Sequence, residues 1–208
     1  MISMKMSEYL SALRSEEPAP GGGSASALAG AQGMALIEMI CSLTPPRAKA
    51  EEAAAVCEEA GKKANKLFND IVKLIDADAD SFSGFIAACR MPWGTDGQKS
   101  ERLRAIDAAT VQMTEVPMSV LRLAHQGVML IPGLLGMTNP NAVSDLGVAL
   151  LSLTACAKGA WLNVRINIPK LKSADDVIKY QNDSDNLYHD IDKISDELYH
   201  SIVDSMEV

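Results

Sequence analysis

Prolines and glycines cut this chain at a few places and leave long stretches between them, and that punctuation decides what it can fold into. Breaks fall at Pro18, Pro20 and Gly21 to Gly23, at Pro45 and Pro46, and at Pro92, Gly94 and Gly97. Others fall at Pro132, Gly133, Gly136 and Pro140, and at Pro169. Proline lacks a backbone donor and clashes with the preceding turn, so each cluster ends a helix. Pro117 stands alone inside a helical stretch and predicts a kink or an interruption there. Apolar residues recur at helical spacing: Val56, Ala60, Leu67, Ile71, Leu74, Ile75 and Phe82 in one stretch, Leu187, Ile191, Ile194, Leu198 and Ile202 in the last. Aromatic residues are only 4%, and no stretch alternates β-branched residues with period two, so strand signals are nearly absent. The expectation is helices near residues 5–15, 24–43, 47–90 (one long helix or two in line), up to 126, 142–167 and 174–204. Residues 1–208 therefore predict a single all-α domain, an antiparallel multi-helix bundle with long helices.

At 208 residues, 48% hydrophobic and 22% charged, the chain can bury a full core and is not natively disordered. A formal charge of −8 disfavours nucleic acid as a partner, and an anionic membrane surface for the same reason. The longest uncharged stretch, Pro18 to Ile37, is built of Gly, Ala and Ser around Gln32, too polar and broken to predict a membrane span. Residues 1–10 carry Lys5 and Glu8 and lack the apolar run of a signal peptide. Cys41, Cys57, Cys89 and Cys156 are widely spaced, and the three histidines add no ligand spacing. This predicts no metal site and reduced thiols in a cytoplasmic protein.

Four segments can carry chemistry. In Pro18–Ala27, Gly21, Gly22 and Gly23 permit close backbone approach, and Ser24 is suited to cap the next helix. The exposed amides of that start can hold a carboxylate, a phosphate or a heterocycle edge; the plainer reading is a tight turn. Asp76 and Asp80 share a helical face and Asp78 lies nearly opposite, so one acid can turn inward as a general acid or base. The alternative is a solvated acidic face. In Asn139–Asp145, Asn141 or Ser144 caps a helix and Asp145 complements its dipole, or the cluster faces a ligand. Asn163 and Asn167 lie four apart on an apolar helix and need partners, either backbone or ligand. Ala27, Ala31 and Ala35 share one face, with Gly30 and Gly33 nearby, which suits the centre of a bundle or a subunit contact. His125 suggests a structural role, and nothing near Cys89 in sequence activates its thiol.

Taken together, these blocks resemble the cyclodeaminase/cyclohydrolase family. The resemblance runs from Pro18-Ala19-Pro20-Gly21-Gly22-Gly23-Ser24 and its Ala-rich helix through Asp78, Phe82 and Thr114-Glu115-Val116-Pro117. It continues through Asn139 to Asp145, Gly147-Val148-Ala149 and Asn163-Val164-Arg165-Ile166-Asn167. That family comprises the cyclodeaminase part of formiminotransferase-cyclodeaminase and the stand-alone methenyltetrahydrofolate cyclohydrolases. The resemblance implies a helical homodimer or larger ring with no metal and no cofactor beyond a tetrahydrofolate derivative bound as substrate. Conversion of 5-formiminotetrahydrofolate to 5,10-methenyltetrahydrofolate and ammonia is the leading implied activity, possible beside a separate formiminotransferase. Cyclohydrolase activity comes second, and a catalytically silent folate-binding homologue third. By the same resemblance Asp78 or Asp145 moves the proton, and Gly21 to Ser24 approach the pterin or the reacting carbon. Asn141, Ser144, Asn163 and Asn167 orient the ligand. Two departures stand out: Cys89 where the family usually has tyrosine, and Trp93 where it usually has lysine.

Overall fold

The computed structural model describes residues 1–44 and 51–206. Six α-helices fill the described residues: α1 (Met6–Leu13), α2 (Gly22–Ser42), α3 (Glu51–Cys89), α4 (Asp96–Val128), α5 (Val143–Asn167) and α6 (Ala174–Asp204). The expected stop at Pro45 and Pro46, and the expected start of the third helix at Arg47, lie outside the described residues.

Helix starts follow local chemistry. Thr95 opens α4 with a reciprocal box: its Oγ1 accepts from the Gln98 amide at 3.2 Å, and its own amide donates to Gln98 Oε1 at 3.0 Å. Ser173 Oγ accepts from the Asp176 amide at 3.2 Å at the start of α6, where Asp175 and Asp176 also suit the helix dipole. The 39 residues of α3 form one helix.

Pro117 does not interrupt α4, which runs unbroken for 33 residues. A proline at this position leaves the carbonyl four residues back, that of Met113, without its helical donor. Asn167, at the end of α5, supplies one: its Nδ2 donates to Met113 O at 2.9 Å. The expected weak point is thus satisfied from a neighbouring helix.

Four helices, α2 to α5, pack in a ring around Met34, Ile37, Ile71, Ile75, Met118, Leu121, Leu150 and Leu153, and α6 lies against α5 and α4. Helices α2 and α5 run antiparallel, since Gly22 lies by Asn163, Ser26 by Gly159, Gly30 by Cys156 and Gly33 by Leu153. A Cβ on Gly30 would stand 2.6 Å from Cys156 Sγ, so only glycine permits this approach. By length and hydropathy alone, α2 and the Pro140–Lys170 segment would each suffice to cross a bilayer, contrary to the expectation from residues 18–37. In the fold both are central staves of the bundle.

Candidate active site

The site grows from an unmet need at the start of α2. Its N-cap is Gly21, which has no side chain to accept the orphan amides of the first turn. An acid from α3 does so instead. Asp78 Oδ2 accepts from the Ser24 amide at 3.0 Å and from Ser24 Oγ at 3.1 Å. Ser24 is therefore a donor in the first turn rather than the cap expected from sequence. A Cβ on Gly23 would overlap the Asp78 carboxylate, so glycine there is a requirement of the contact. Of the three aspartates, Asp78 turns inward, Asp76 accepts from the Ile2 amide at 3.3 Å, and Asp80 is exposed.

Burial raises the Asp78 carboxyl above the ordinary carboxylate range, against the opposing pull of the two Ser24 bonds. Both bonds end on Oδ2, which leaves Oδ1 free of Ser24. Helix α1 delivers Tyr9 to the neighbourhood. Its side chain is 6% exposed, its hydroxyl has no hydrogen-bond partner among the described residues, and burial followed by the Asp78 charge raises its pKa. Nothing in the sequence marks Tyr9, the one aromatic residue of a short helix.

A cavity of about 250 Å³ lies beside Asp78, walled by Gly21 to Gly23, Phe82, Asn163, Asn167 and Lys170. Asn163 Nδ2 donates to Gly159 O at 2.8 Å, while its amide group faces Gly22. Asn167 is held on both sides, by Met113 O and by Lys170 Nζ, which donates to its Oδ1 at 3.0 Å. Lys170, a cation on the cavity wall, was not singled out by the sequence.

Asn141, Ser144 and Asp145 do not join this cavity within one chain. They sit at the opposite end of α5, and Asp145 is ~27 Å along the helix from Asn163 at 1.5 Å per residue. Neither Asn141 nor Ser144 caps α5, whose N-cap is Ala142; Asn139 caps the short 3-10 turn Pro140–Ala142 that precedes it, its Oδ1 accepting from the Asn141 amide at 3.1 Å. The Cys89 carbonyl accepts two bonds from Arg102, Trp93 is 70% exposed, and neither residue lines the cavity. His125 Nε2 lies 2.6 Å from Asp190 Oδ2 on α6, a tie between helices. A wider cleft of about 570 Å³ lies beside Cys41 and Cys57. Burial pushes the Cys41 thiol up to about 12, which makes it a poor nucleophile.

These features define a helical bundle that seats a protonatable carboxylate against a glycine-rich helix start. Residues 5–186 match the family model described as formiminotransferase-cyclodeaminase, and the chain belongs to that family. A methenyltetrahydrofolate cyclohydrolase of Methylorubrum extorquens is 35% identical over 159 residues, 76% of each chain. The formimidoyltransferase-cyclodeaminase of Dictyostelium discoideum is 34% identical over 84% of this chain, and that of Rattus norvegicus 26% over 86%. This chain covers 32% and 33% of those two longer proteins. The formiminotetrahydrofolate cyclodeaminase of Thermotoga maritima shares the fold, with a TM-score of 0.79 at 19% identity over 99% of this chain and 96% of that one.

Proposed function

We propose that this protein is a folate one-carbon enzyme that interconverts 5,10-methenyl- and 10-formyltetrahydrofolate, with Asp78 as its acid–base group. The observation that carries this reading is the raised-pKa carboxyl of Asp78 on the wall of the glycine-lined cavity. A carboxylate poised above its usual range is suited to take a proton and return it within one turnover. Water adds to the methenyl carbon as Asp78 accepts one of its protons. The carbon–N5 bond then breaks, N5 receives that proton back from Asp78, and the second water proton leaves to solvent as the formyl carbonyl forms. Neither step changes an oxidation state, so the proposal includes no redox cofactor. The Gly21 to Gly23 backbone and Asn163 would orient the bicyclic ring, and Lys170 suits a carboxylate on the substrate.

Cyclodeaminase action is the second reading, favoured by the likeness to formimidoyltransferase-cyclodeaminases across most of this chain. There N10 attacks the carbon of the protonated formimino group, its own proton passes through Asp78 to the departing nitrogen, and ammonia leaves as the methenyl cation forms. The cyclohydrolase stands first because the relative of that name matches over 76% of both chains rather than over a third of a longer one. Purified protein given each substrate separately decides the order. Accelerated loss of the methenyl absorbance band is expected, with a slower or absent rise of that band from 5-formiminotetrahydrofolate. The reverse ranking would make the protein a cyclodeaminase, and two flat traces would contradict both.

A further inference from the structure

Exposure divides the walls of the Asp78 cavity into a floor and a mouth. Gly23, Met113 and Asn167 are buried, while Phe82 is 37% exposed and Lys170 stands in solvent. At about 250 Å³ the space is smaller than the ~300–1,000 Å³ usual for a whole small-molecule ligand. It suits the ring system that carries the reacting carbon, and the rest of a folate must leave across the mouth. That remainder is an aminobenzoyl ring joined through N10, followed by a glutamate.

We propose that Phe82 and Lys170 form a second subsite at this mouth, which stacks the aminobenzoyl ring and takes a glutamate carboxylate. The subsite rests on the folate reading given above. Phe82 follows Asp78 by four residues on one face of α3, ~6 Å along the axis. In the substrate the aminobenzoyl ring is attached to the nitrogen beside the reacting carbon. With that carbon at Asp78, the ring stands about one helical turn away, beside Phe82. Phe68 packs against the core, whereas Phe82 holds an apolar face open to solvent at the cavity. A second aromatic ring would cover that face in an offset or edge-to-face contact.

Charge and hydrogen bonding single out Lys170. Of the cations nearby, Arg165 pairs with Asp185 at 3.2 Å and Lys172 with Asp107 at 2.8 Å. Lys170 has no acid partner among the described residues; its Nζ donates to Asn167 Oδ1 at 3.0 Å. Asn167 cannot turn its amide over, because Nδ2 donates to Met113 O at 2.9 Å and the reversed group would set oxygen against oxygen. The Asn167 oxygen is thus fixed toward Lys170 and holds the ammonium at the mouth without neutralising it. The remaining donors of that ammonium can meet an anion. Asn167 is accordingly a positioning residue, and its own bond uses the Met113 carbonyl that Pro117 leaves open. A cation just past α5 also suits that helix's dipole, but such a role is indifferent to whether a ligand carries a glutamate.

Equilibrium titrations with 5-formyltetrahydrofolate and with 5-formyltetrahydropteroate, which lacks the glutamate, separate these roles. The wild type should bind the glutamate-bearing compound tighter by about 10–100-fold, the usual gain from a charge-assisted hydrogen bond. Lys170→Met should abolish that preference and Lys170→Arg should keep it, with helical spectra unchanged in both. Asn167→Asp, which sets a charge against Lys170, should reduce it. Phe82→Ala should weaken both compounds alike, and Phe82→Tyr should restore them. Equal wild-type affinities, or a preference that survives Lys170→Met, would overturn the role of Lys170. Unchanged affinities in Phe82→Ala would overturn the stacking. The expected pattern in a protein that leaves the methenyl band untouched would uphold the subsite and contradict the catalytic reading. Accelerated loss of that band with no glutamate preference would do the reverse, and binding of neither compound would contradict the subsite and the folate reading together.

Discussion

Asp78 serves two ends that oppose each other. Ionised, it accepts both Ser24 donors at the start of α2; buried, it resists ionisation, and the burial prevails. A carboxyl whose folded pKa is raised binds its proton more tightly in the native state. Stability therefore falls as pH rises from the unfolded value through the folded one, and at neutral pH the ionised group is a net cost. Asp78→Asn keeps an oxygen for Ser24 and removes the charge. It should lower turnover by about 10²–10⁴-fold, the usual contribution of a general acid–base group, while Tm stays level or rises. A fall in both would mean that Asp78 serves the fold alone. Tyr9 makes a parallel case. Its buried hydroxyl has no partner among the described residues, and a buried group left unpaired costs about 1–3 kcal/mol. Tyr9→Phe should raise the unfolding free energy by up to that amount in denaturant titration. If the hydroxyl binds substrate, KM should rise with it; an unchanged KM would leave Tyr9 with no part in binding.

Among the elements, the coupling of Pro117 to Asn167 is the least local feature. Removing Asn167 should strand the Met113 carbonyl and cost about 1–3 kcal/mol. Pro117→Ala restores the helical donor, so Asn167→Ala should cost less in that background. Additive effects in the double-mutant cycle would contradict the account. This coupling also marks what the sequence could carry. Helical period and breakers give α5 to within a residue and α6 to the residue, because those signals are local. The rescue comes from Asn167, 54 residues beyond the Met113 carbonyl it serves, so proline alone predicts a kink or an interruption. Local rules favour Ser24 as a cap for the same reason: its partner, Asp78, lies 54 residues away.

For the whole molecule, the antiparallel run of α5 explains why only part of the expected site assembles in one chain. Gly21 to Ser24, Asp78, Asn163 and Asn167 meet, while Asn141, Ser144 and Asp145 stand at the far end. Motif order along a chain carries no information about which helix ends coincide. The exposed apolar rows of α2 and α5 become visible only once the core side of each helix is fixed. The central claim is that Asp78 shuttles the proton in a folate one-carbon reaction. Its most direct test is the pH–rate profile for loss of the methenyl band, wild type against Asp78→Asn, each corrected for the uncatalysed reaction. The account predicts that kcat/KM of the wild type rises with pH through an inflection above the usual aspartate value of ~3.9, and that the inflection vanishes in the variant with most of the rate. A wild-type rate equal to buffer, or a variant that keeps both rate and inflection, would contradict it.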